Sequence, residues 1–471
     1  MIWANFLHIY QPPTQKPYWV NRVTDESYRK IFHLLLKNPT ARTTMNVNGV
    51  LLDLLNKNGH YDVIDAIKKL VSRGQLELTG SAKYHPLLPF LPESEIIRQI
   101  KLNEETVFHY LGSGVQLKGF FPPEMGFSIE IARIVADLGY KWIIVDELSF
   151  PKNQGPQRHD RIYQVANLQN FHIFFRERRM SWVILSGQIG TGKLLIQSLG
   201  ERLKKNEYLL TAMDGETFGH HRPGLETLLF EIYKSDELQT VKISDLPNLF
   251  ARREETKPLS STWALMEKDL EKEKPFARWY DEENTIHQAQ WGLTKLAIET
   301  VQNMQKDAPG YEKVRQALDM ALHSDQYWWA SARPWWSIEM IERGAKDLYD
   351  VVVSASGVSE KIKKKAETLY HKIVFTAFEW QRSGLVEELS HTEDEEVRQR
   401  TDEGLPRLPK KEIEKMIRQL KKEMKLVASR QEFERAAQIR DRIRELRKYT
   451  SEEDLYLSAE GNQEFTLKKY K

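Results

Sequence analysis

Short apolar runs alternate with amphipathic stretches of helical period along the first half of the chain. The apolar runs predict strands at residues 2–7, 76–79, 117–121, 142–145, 182–185 and 208–213. The amphipathic stretches between them predict helices, among them 63–72, 93–110, 129–138 and 193–204. This alternation favours an α/β fold with a parallel sheet, and short strands broken by charged loops are typical of a barrel.

The strand signal disappears between about residues 258 and 398, where the apolar positions follow a helical period. Helices are predicted there at 285–304, 311–324, 336–349 and 359–382. Farther on, the pattern predicts two amphipathic helices joined near Ser429. We therefore divide the chain into an α/β domain (1–257), a helical bundle (258–398), a linker (399–409), a helical hairpin (410–448) and a polar tail (449–471).

Polar side chains follow directly on most of the predicted strands. Those at or just beyond a strand end are His8, Tyr10, Gln11, His85, Glu124, Asp146, Glu147, Asp214 and Glu216. In a barrel of parallel strands the carboxyl ends converge on one face, where the active site lies. Strands also end in polar loops that have no catalytic role, but so many carboxylates and histidines at these ends favour a site.

Composition narrows the classes of function. The 69 Lys and Arg residues nearly cancel the 67 Asp and Glu residues, so the molecule has no net field to attract nucleic acid or a membrane surface. The absence of cysteine excludes disulfides, thiolate metal sites and a cysteine nucleophile. No basic, apolar leader and no apolar run of about 18 residues is present, so we expect a cytoplasmic protein without a membrane span.

Glu124 and Asp214 are the strongest candidates for catalysis. Cleavage of a glycosidic bond needs one group to protonate the leaving oxygen and another to attack or stabilise the anomeric carbon, and paired carboxylates serve both roles. Two prolines stiffen the backbone before Glu124, and Gly215 allows a tight turn after Asp214. Either carboxylate alone is a weak signal, because a carboxylate at a strand end is more often a helix cap or an ion-pair partner.

Five segments, in order, resemble the five sequence regions of glycoside hydrolase family 57. Residues 8–12 (HIYQP) are similar to the first region, and residues 74–80 with 84–86 (GQLELTG and YHP) to the second. Residues 119–126 (GFFPPEMG), 213–221 (MDGETFGHH) and 324–329 (SDQYWW) are similar to the third, fourth and fifth. The resemblance covers about residues 1–385.

The resemblance implies an incomplete (β/α)7 barrel followed by a helical bundle. It also implies a retaining enzyme acting on α-glucans by double displacement, of the amylase, 4-α-glucanotransferase or branching type, with Glu124 as nucleophile and Asp214 as acid/base. The two carboxyl groups would then lie roughly 5–5.5 Å apart. The residues expected to bind sugar hydroxyls or stack on sugar rings are His8, Tyr10, Gln11, His85, Glu216, His220, Asp325, Trp328 and Trp329.

One position departs from the family pattern. The first region commonly carries a second histidine where this chain has Tyr10, which blurs the choice of substrate although tyrosine still bonds to hydroxyls. His220 and His221, close in sequence to Asp214, leave a divalent metal as a minor alternative. Neither the zinc-protease helix motif nor a calcium-loop pattern is present, so we predict no metal and no cofactor.

Residues 187–193 (GQIGTGK) nearly spell a phosphate-binding loop after the apolar run 182–185. Leu194 stands where magnesium coordination requires a serine or threonine, and no second ATPase signature accompanies it. We interpret this stretch as a flexible loop before a helix.

Residues 426–443 resemble the UVR motif, a helical hairpin that mediates protein–protein contact in bacterial excision-repair and other proteins. Basic residues outnumber acidic ones over 410–448, yet the helical pattern puts most of them on solvent faces. We therefore expect a module that docks a protein partner or a second copy of the chain, with no nucleic acid bound.

Several alternatives remain open. Hydrolysis and transfer share one covalent intermediate, so the sequence favours neither, and an α-galactoside remains open as substrate. A non-catalytic carbohydrate-binding or regulatory protein on the same scaffold, tethered through the hairpin, is opposed by the presence of both Glu124 and Asp214. A metal-dependent barrel hydrolase, such as a polysaccharide deacetylase, would need metal ligands that the sequence does not assemble.

Overall fold

The computed structural model describes residues 1–391 and 410–448. Its strands are β1 (Ile2–Ile9), β2 (Thr43–Val47), β3 (Leu76–Gly80), β4 (Gly119–Phe120), β5 (Trp142–Asp146), β6 (Ile162–Val165), β7 (His172–Arg176), β8 (Tyr208–Asp214), β9 (Gln239–Thr240) and β10 (Arg253–Thr256).

The helices up to the end of the barrel are α1 (Pro17–Val23), α2 (Arg29–Lys37), α3 (Gly49–Lys57), α4 (Tyr61–Ser72), α5 (Glu93–Leu111), α6 (Ile129–Asp137), α7 (Arg178–Leu185), α8 (Gly192–Leu199), α9 (Glu226–Ile232) and α10 (Leu246–Leu249). Those beyond it are α11 (Glu267–Glu271), α12 (Thr285–Gln302), α13 (Tyr311–Ala321), α14 (Asp325–Trp328), α15 (Ile338–Ser354), α16 (Glu360–Ser383), α17 (Lys410–Ser429) and α18 (Phe433–Lys448). A π-helical turn, Thr24–Tyr28, joins α1 to α2. None of the helices in the described ranges is long and apolar enough to cross a membrane.

Seven parallel strands form a curled sheet in the order β7-β5-β4-β3-β2-β1-β8. Outside β7 the sheet continues with an antiparallel β6 and then β10, and β9 pairs with β1. The two ends of the seven-stranded part approach each other where Glu177, just beyond β7, donates its N–H to the carbonyl of Leu210 in β8, at 2.7 Å. The predicted incomplete (β/α)7 barrel, followed by a helical bundle and a terminal hairpin, is confirmed.

Side chains alternate between the inside and the outside of this barrel. One buried cluster holds every second residue of the central strands, including Ala4 and Phe6 of β1, Trp142 and Ile144 of β5, and Leu210 and Ala212 of β8. The residues between them join clusters shared with the surrounding helices. Because the strands are buried on both faces, they appear in the sequence as continuous apolar runs.

The helices cover the barrel in two groups. Helices α12, α13, α15 and α16 share one apolar cluster with α5 and α6 on one side of the barrel. On the other side, α2, α4, α8 and α9 form a second cluster. The helical region after β10 therefore packs on the barrel over a continuous apolar surface.

The terminal hairpin of α17 and α18 belongs to this second cluster. Ile413, Ile417 and Leu420 of α17, with Ile439 and Ile443 of α18, are buried against barrel residues. Most basic residues of the hairpin were expected on solvent faces, and two are exceptions: Arg435 and Arg442 are buried and donate to backbone carbonyls of the barrel domain. The apolar face that these residues form is thus covered within the same chain, whereas Leu426 and Phe433 of the hairpin are exposed.

Several sequence-based assignments of elements were wrong or missing. Residues 182–185, predicted as a strand, end helix α7, because Met180, Val183 and Ile184 recur at helical spacing and are buried together. Strand β2 was missed because its sequence, TTMNV, is polar although all five residues are buried. The predicted linker 399–409 and tail 449–471 lie outside the described residues.

Gly119 in β4 tests the packing inside the sheet. A Cβ at this position would overlap the indole ring of Trp142. We expect Gly119→Ala to lower the free energy of unfolding by roughly 1–3 kcal/mol, the usual cost of overpacking, measured by urea unfolding followed by circular dichroism. Gly114→Ala is the matched control, since a Cβ there meets no atom within 4 Å. Equal stability of the two variants would contradict the packing described here.

Candidate active site

The carboxyl ends of the parallel strands bring the predicted site residues to one end of the barrel. Strand β1 lies between β2 and β8, so His8 is in register with Asn46 on one side and with Asp214 on the other. The Nδ1 atom of His8 is 2.8 Å from Asn46 Oδ1. His85 follows β3, and Glu124 follows β4.

An unusual backbone conformation positions Glu124. It lies in a single 3-10 turn, Pro123–Met125, in which Glu124 has φ 61° and Met125 has φ 49°. Residues other than glycine rarely adopt positive φ, and they keep it only where the surrounding structure holds them. Here the backbone N–H of Trp263 donates to the carbonyl of Glu124 at 3.0 Å.

Two donors bind the carboxylate of Glu124. Trp263 Nε1 donates to Oε2 at 2.8 Å, and Ser324 Oγ donates to Oε1 at 3.0 Å. The Glu124 side chain is only 14% exposed. Burial, assisted by the charge of Asp325, raises the pKa of Glu124 to about 8, and the two donors oppose that rise because they favour the ionised form.

Stacked rings form one wall beside Glu124. The ring of His85 lies 4.1 Å from that of Tyr10 and 4.9 Å from that of His8, and Phe121 stacks on His8 at 4.5 Å. Burial lowers the pKa of His85 to about 4 and that of His8 well below its ordinary value. Both imidazoles are therefore neutral near pH 7 and suited to hydrogen bonding with an uncharged ligand.

Asp325, from the helical bundle, brings a negative charge to the site. Its Oδ2 accepts the hydroxyl of Tyr10 at 2.7 Å and lies 3.1 Å from His323 Nδ1. Burial alone would raise the pKa of Asp325, but the hydrogen bonds with His323 and Tyr10 and the electrostatic effect of the neighbouring imidazoles outweigh it, so the pKa is lowered. Within the described residues, His85 Nε2 and His323 Nε2 are buried with no protein partner.

A second pair of carboxyl groups closes β8. Burial raises the pKa of Asp214 to about 6, although the nearby Arg176 guanidinium opposes the rise. Glu216 accepts a hydrogen bond from the hydroxyl of Tyr28, and Tyr10 N is 3.3 Å from its Oε1. Burial and the charge of Asp214 raise the pKa of Glu216 to about 8.

The remaining predicted residues lie around this core. Gln11 Nε2 is 3.4 Å from Glu216 Oε1. Trp328 lies 4.9 Å from the buried Trp279, and the half-buried Trp329 lies 5.8 Å from Trp335. His220 contacts another part of the structure: its Nδ1 is 2.5 Å from Glu26 Oε2, and it lies edge-on to Trp19 at 6.5 Å.

Sequence reasoning missed four residues that contact the core. Ser324 opens the fifth family-like segment and could have been chosen there. Trp263 lies in a loop without periodicity, so nothing in the sequence pairs it with Glu124. Tyr28 appears in an apolar helical pattern typical of a core residue. Arg176 ends β7 and, fully surrounded by protein, donates to Asp146 at 2.8 Å.

The predicted alternatives find little support in the described residues. No three His, Asp or Glu side chains within residues 1–391 and 410–448 are grouped so that they could hold a metal ion. In the Gly-rich stretch, the N–H of Gly192 at the start of α8 donates to Glu231 Oε2 at 2.9 Å. A carboxylate thus occupies the helix N-terminus where a phosphate would bind.

Two family profiles match the chain. The profile of glycosyl hydrolase family 57 matches residues 5–305, and that of the UvrB/uvrC motif matches residues 414–449. Both resemblances inferred from the sequence are confirmed.

Curated relatives match a shorter stretch. An alpha-amylase from Pyrococcus horikoshii is 23% identical over 228 residues, which is 48% of this chain and 35% of that protein. A 4-alpha-glucanotransferase from Thermococcus litoralis is 24% identical over 144 residues, 31% of this chain and 21% of that protein. The chain therefore spans about a third or less of the length of these relatives.

Solved structures share the fold. A GH57 branching enzyme from Thermococcus kodakaraensis, crystallised with glucose, has a TM-score of 0.60 at 15% identity and covers 79% of this chain and 94% of its own. The 4-alpha-glucanotransferase from Thermococcus litoralis has a TM-score of 0.57 at 18% identity, and the match covers 74% of this chain and 59% of that protein's chain.

The raised pKa of Glu216 predicts a pH-dependent stability. A folded-state pKa of about 8 lies above the ordinary value of a glutamate in an unfolded chain, about 4.3. The contribution of the Glu216 carboxyl group to the free energy of unfolding is therefore fully present below about pH 4 and is lost as the pH rises through about 8. Because Gln cannot ionise, the melting temperature of Glu216→Gln relative to the unmodified protein should rise over this range, as measured by circular dichroism.

Glu93→Gln, at a side chain that is 53% exposed, controls for the loss of a carboxylate as such. A difference in melting temperature that stays constant between pH 4 and pH 9 for Glu216→Gln would show that this carboxyl group is not held protonated.

Proposed function

The chain belongs to glycosyl hydrolase family 57, and on that premise we propose that it is a retaining enzyme that cleaves α-glucans and passes the glycosyl group to water or to another sugar. The observation that carries the proposal is the environment of Glu124. Its carboxylate is buried, held by Trp263 and Ser324, and shares the end of the barrel with Asp214.

In the first step of the proposed reaction, Glu124 attacks the anomeric carbon and the glycosidic bond breaks. Asp214 gives its proton to the leaving oxygen, and a covalent glycosyl ester of Glu124 remains. In the second step Asp214 takes a proton from water or from a sugar hydroxyl, whose oxygen then displaces Glu124. Two inversions retain the configuration, and both carboxyl groups return to their starting states.

The hydrogen bonds of the two carboxyl groups favour these roles, whereas burial gives Glu124 the higher pKa. Trp263 and Ser324 donate to Glu124 and so favour the anion that must attack. Within the described residues Asp214 accepts no comparable pair of hydrogen bonds, and burial favours its protonated form. Arg176 limits that shift, so Asp214 can also act as the base in the second step.

The groups around Glu124 and Asp214 support binding of an uncharged polyol. His8, His85 and Tyr10 offer neutral donors and acceptors, and Asp325 and Glu216 offer carboxyl oxygens. We assign sugar-hydroxyl contacts to these residues and to Gln11, and stacking faces to Trp328 and Trp329. Since Ser324 and Asp325 come from the helical region, we also propose that residues 258–398 complete the site begun by residues 1–257.

A product analysis tests this function. The protein is incubated with maltopentaose, and the products are separated by chromatography. Chains longer than the input indicate transfer, whereas shorter chains alone indicate hydrolysis. If maltopentaose is unchanged but an α-galactoside is cleaved, the sugar in the proposal is wrong. If neither reacts, the proposed enzyme activity is rejected.

Stereochemistry separates the roles of the two carboxylates. We expect Glu124→Ala and Asp214→Ala each to lower turnover of an aryl α-maltoside by at least about 100-fold. Added azide should restore product in both. It should give the β-glycosyl azide in Glu124→Ala, by attack on the side that Glu124 occupied, and the α-glycosyl azide in Asp214→Ala, by displacing the ester.

The anomeric configuration is read by NMR. If Glu124→Ala gave the α-azide and Asp214→Ala the β-azide, Asp214 would be the nucleophile and Glu124 the acid/base. If either variant were fully active without azide, the residue replaced in it would not be catalytic.

The pKa values of Asp214 and Glu124 predict how kcat/KM depends on pH. The productive form carries one proton, on Asp214, with Glu124 ionised. With pKa values of about 6 for Asp214 and about 8 for Glu124, the singly protonated pair carries its proton mainly on Glu124, and the productive form is the minor arrangement in equilibrium with it. Both arrangements hold one proton, so both disappear at low pH, where the two groups are protonated, and at high pH, where neither is. We therefore expect kcat/KM to follow a bell with limbs near pH 6 and pH 8.

Trp263→Phe removes a donor that favours ionised Glu124, so the upper limb should move to higher pH while the maximum falls. A profile that is unchanged in this variant would contradict the proposed effect of the Trp263 bond on Glu124.

A further inference from the structure

Arg435 in the terminal hairpin reaches the backbone that follows Asp214. Its side chain is 2% exposed. Nη1 donates to the carbonyl of His220 at 2.9 Å, and Nη2 donates to the carbonyl of Gly219. One guanidinium, from a residue more than 200 positions away, thus holds two successive carbonyls of the turn that leads out of β8.

This turn is built around Glu216. The N–H groups of His220 and His221 both donate to the carbonyl of Glu216, at 3.2 and 2.8 Å. At Gly219 the chain has φ 103°, and a Cβ there would overlap the carbonyl oxygen of Glu26. The positions of Gly219 and His220 therefore fix the backbone of Glu216, two residues after Asp214.

The segment before α2 supports the same turn from another side. Ser27 Oγ donates to the carbonyl of Gly215 at 2.9 Å. Glu26 lies 2.5 Å from His220 Nδ1 and 3.4 Å from Arg435 Nη1. Burial would raise the pKa of Glu26, but His220, Arg435 and Arg22 outweigh it, so the carboxyl group stays ionised. Glu26 and Arg435 therefore form a charged pair, and both contact the turn.

The rest of the hairpin keeps Arg435 in place. Ile439 and Ile443, one and two turns along α18, are buried in the apolar cluster of the barrel helices. Arg442 donates to the carbonyl of Gly187 at 2.9 Å. On α17, Glu423 lies 3.2 Å from Lys30. These contacts anchor both helices to the barrel on either side of Arg435.

We infer that the UVR-like hairpin acts within its own chain as part of the active-site scaffold, and that Arg435 is a positioning residue for the turn 215–222 and, through it, for Asp214 and Glu216. The inference rests on the proposed function of Asp214. Without the guanidinium, two carbonyls lose charge-assisted donors and Glu26 loses a cation, so the turn is released.

The first test compares substrates that differ in their need for an acid. Arg435→Ala should lower kcat/KM for maltopentaose by about 10- to 100-fold, the size expected for a misplaced catalytic group. On a dinitrophenyl α-maltoside, whose leaving group needs no proton, the loss should be much smaller. Arg435→Lys keeps the charge, but an ammonium group lacks the planar fork of donors that bonds both carbonyls. Its loss of kcat/KM for maltopentaose should therefore lie between that of Arg435→Ala and none.

Arg442→Ala is the matched control, because Arg442 lies on the same helix, is equally buried and donates to a loop that does not carry Asp214. It should lower the melting temperature about as much as Arg435→Ala and leave the ratio of the two kcat/KM values unchanged. Equal losses on both substrates in Arg435→Ala would mean a general structural role and overturn the inference.

Amide hydrogen exchange tests the contact independently of activity. Exchange in residues 215–222 should accelerate in Arg435→Ala and not in Arg442→Ala. Unchanged exchange in this turn overturns the inference even if the enzyme is active. If the unmodified protein acts on no glucan, the proposed function fails instead, and the exchange result alone then decides whether Arg435 holds the turn.

Discussion

The burial of several carboxyl groups at one end of the barrel is the constraint on which the site depends. Desolvating a carboxylate is costly unless donors replace water, so each group must either find donors or keep its proton. Asp325 finds donors in Tyr10 and His323 and stays ionised. Glu124 has two donors, but they only partly offset its burial. Asp214 and Glu216 share a crowded end of β8, where each raises the energy of ionising the other. The result is a set of acids with separated proton affinities, which acid–base chemistry requires.

These donors come from parts of the chain that are far apart in sequence. Trp263 lies beyond the barrel and Ser324 in the helical bundle, yet both bind the carboxylate of Glu124. The bundle therefore does more than cover one side of the barrel. Its helices pack against α5 and α6 over a shared apolar cluster, so the region that carries Ser324 and Asp325 is anchored to the barrel.

Sequence reasoning recovered the parts that depend on local signals. Strands buried on both faces appear as apolar runs, and the residues at their ends converge because parallel strands share a direction, which is why His8, His85 and Glu124 could be chosen. It failed where tertiary contacts override local pattern. Strand β2 is polar because Thr43 and Asn46 bond to neighbouring strands, and nothing periodic indicates Trp263. Arg435 has the sequence context of a solvated helix face, and only the docking of the hairpin buries it.

The order of the strands has a consequence for synthesis on the ribosome. Strand β1 is made before β2 and β8 but lies between them, so its second neighbour exists only after residue 214 has been added. Until then one edge of β1 stays open, and contacts of such long sequence separation form slowly. The donor to the carbonyls of Gly219 and His220, Arg435, is added about 200 residues later. A nascent chain can therefore close its barrel well before it can hold the turn beside Asp214, and the hairpin completes that turn only after Arg435 has been added.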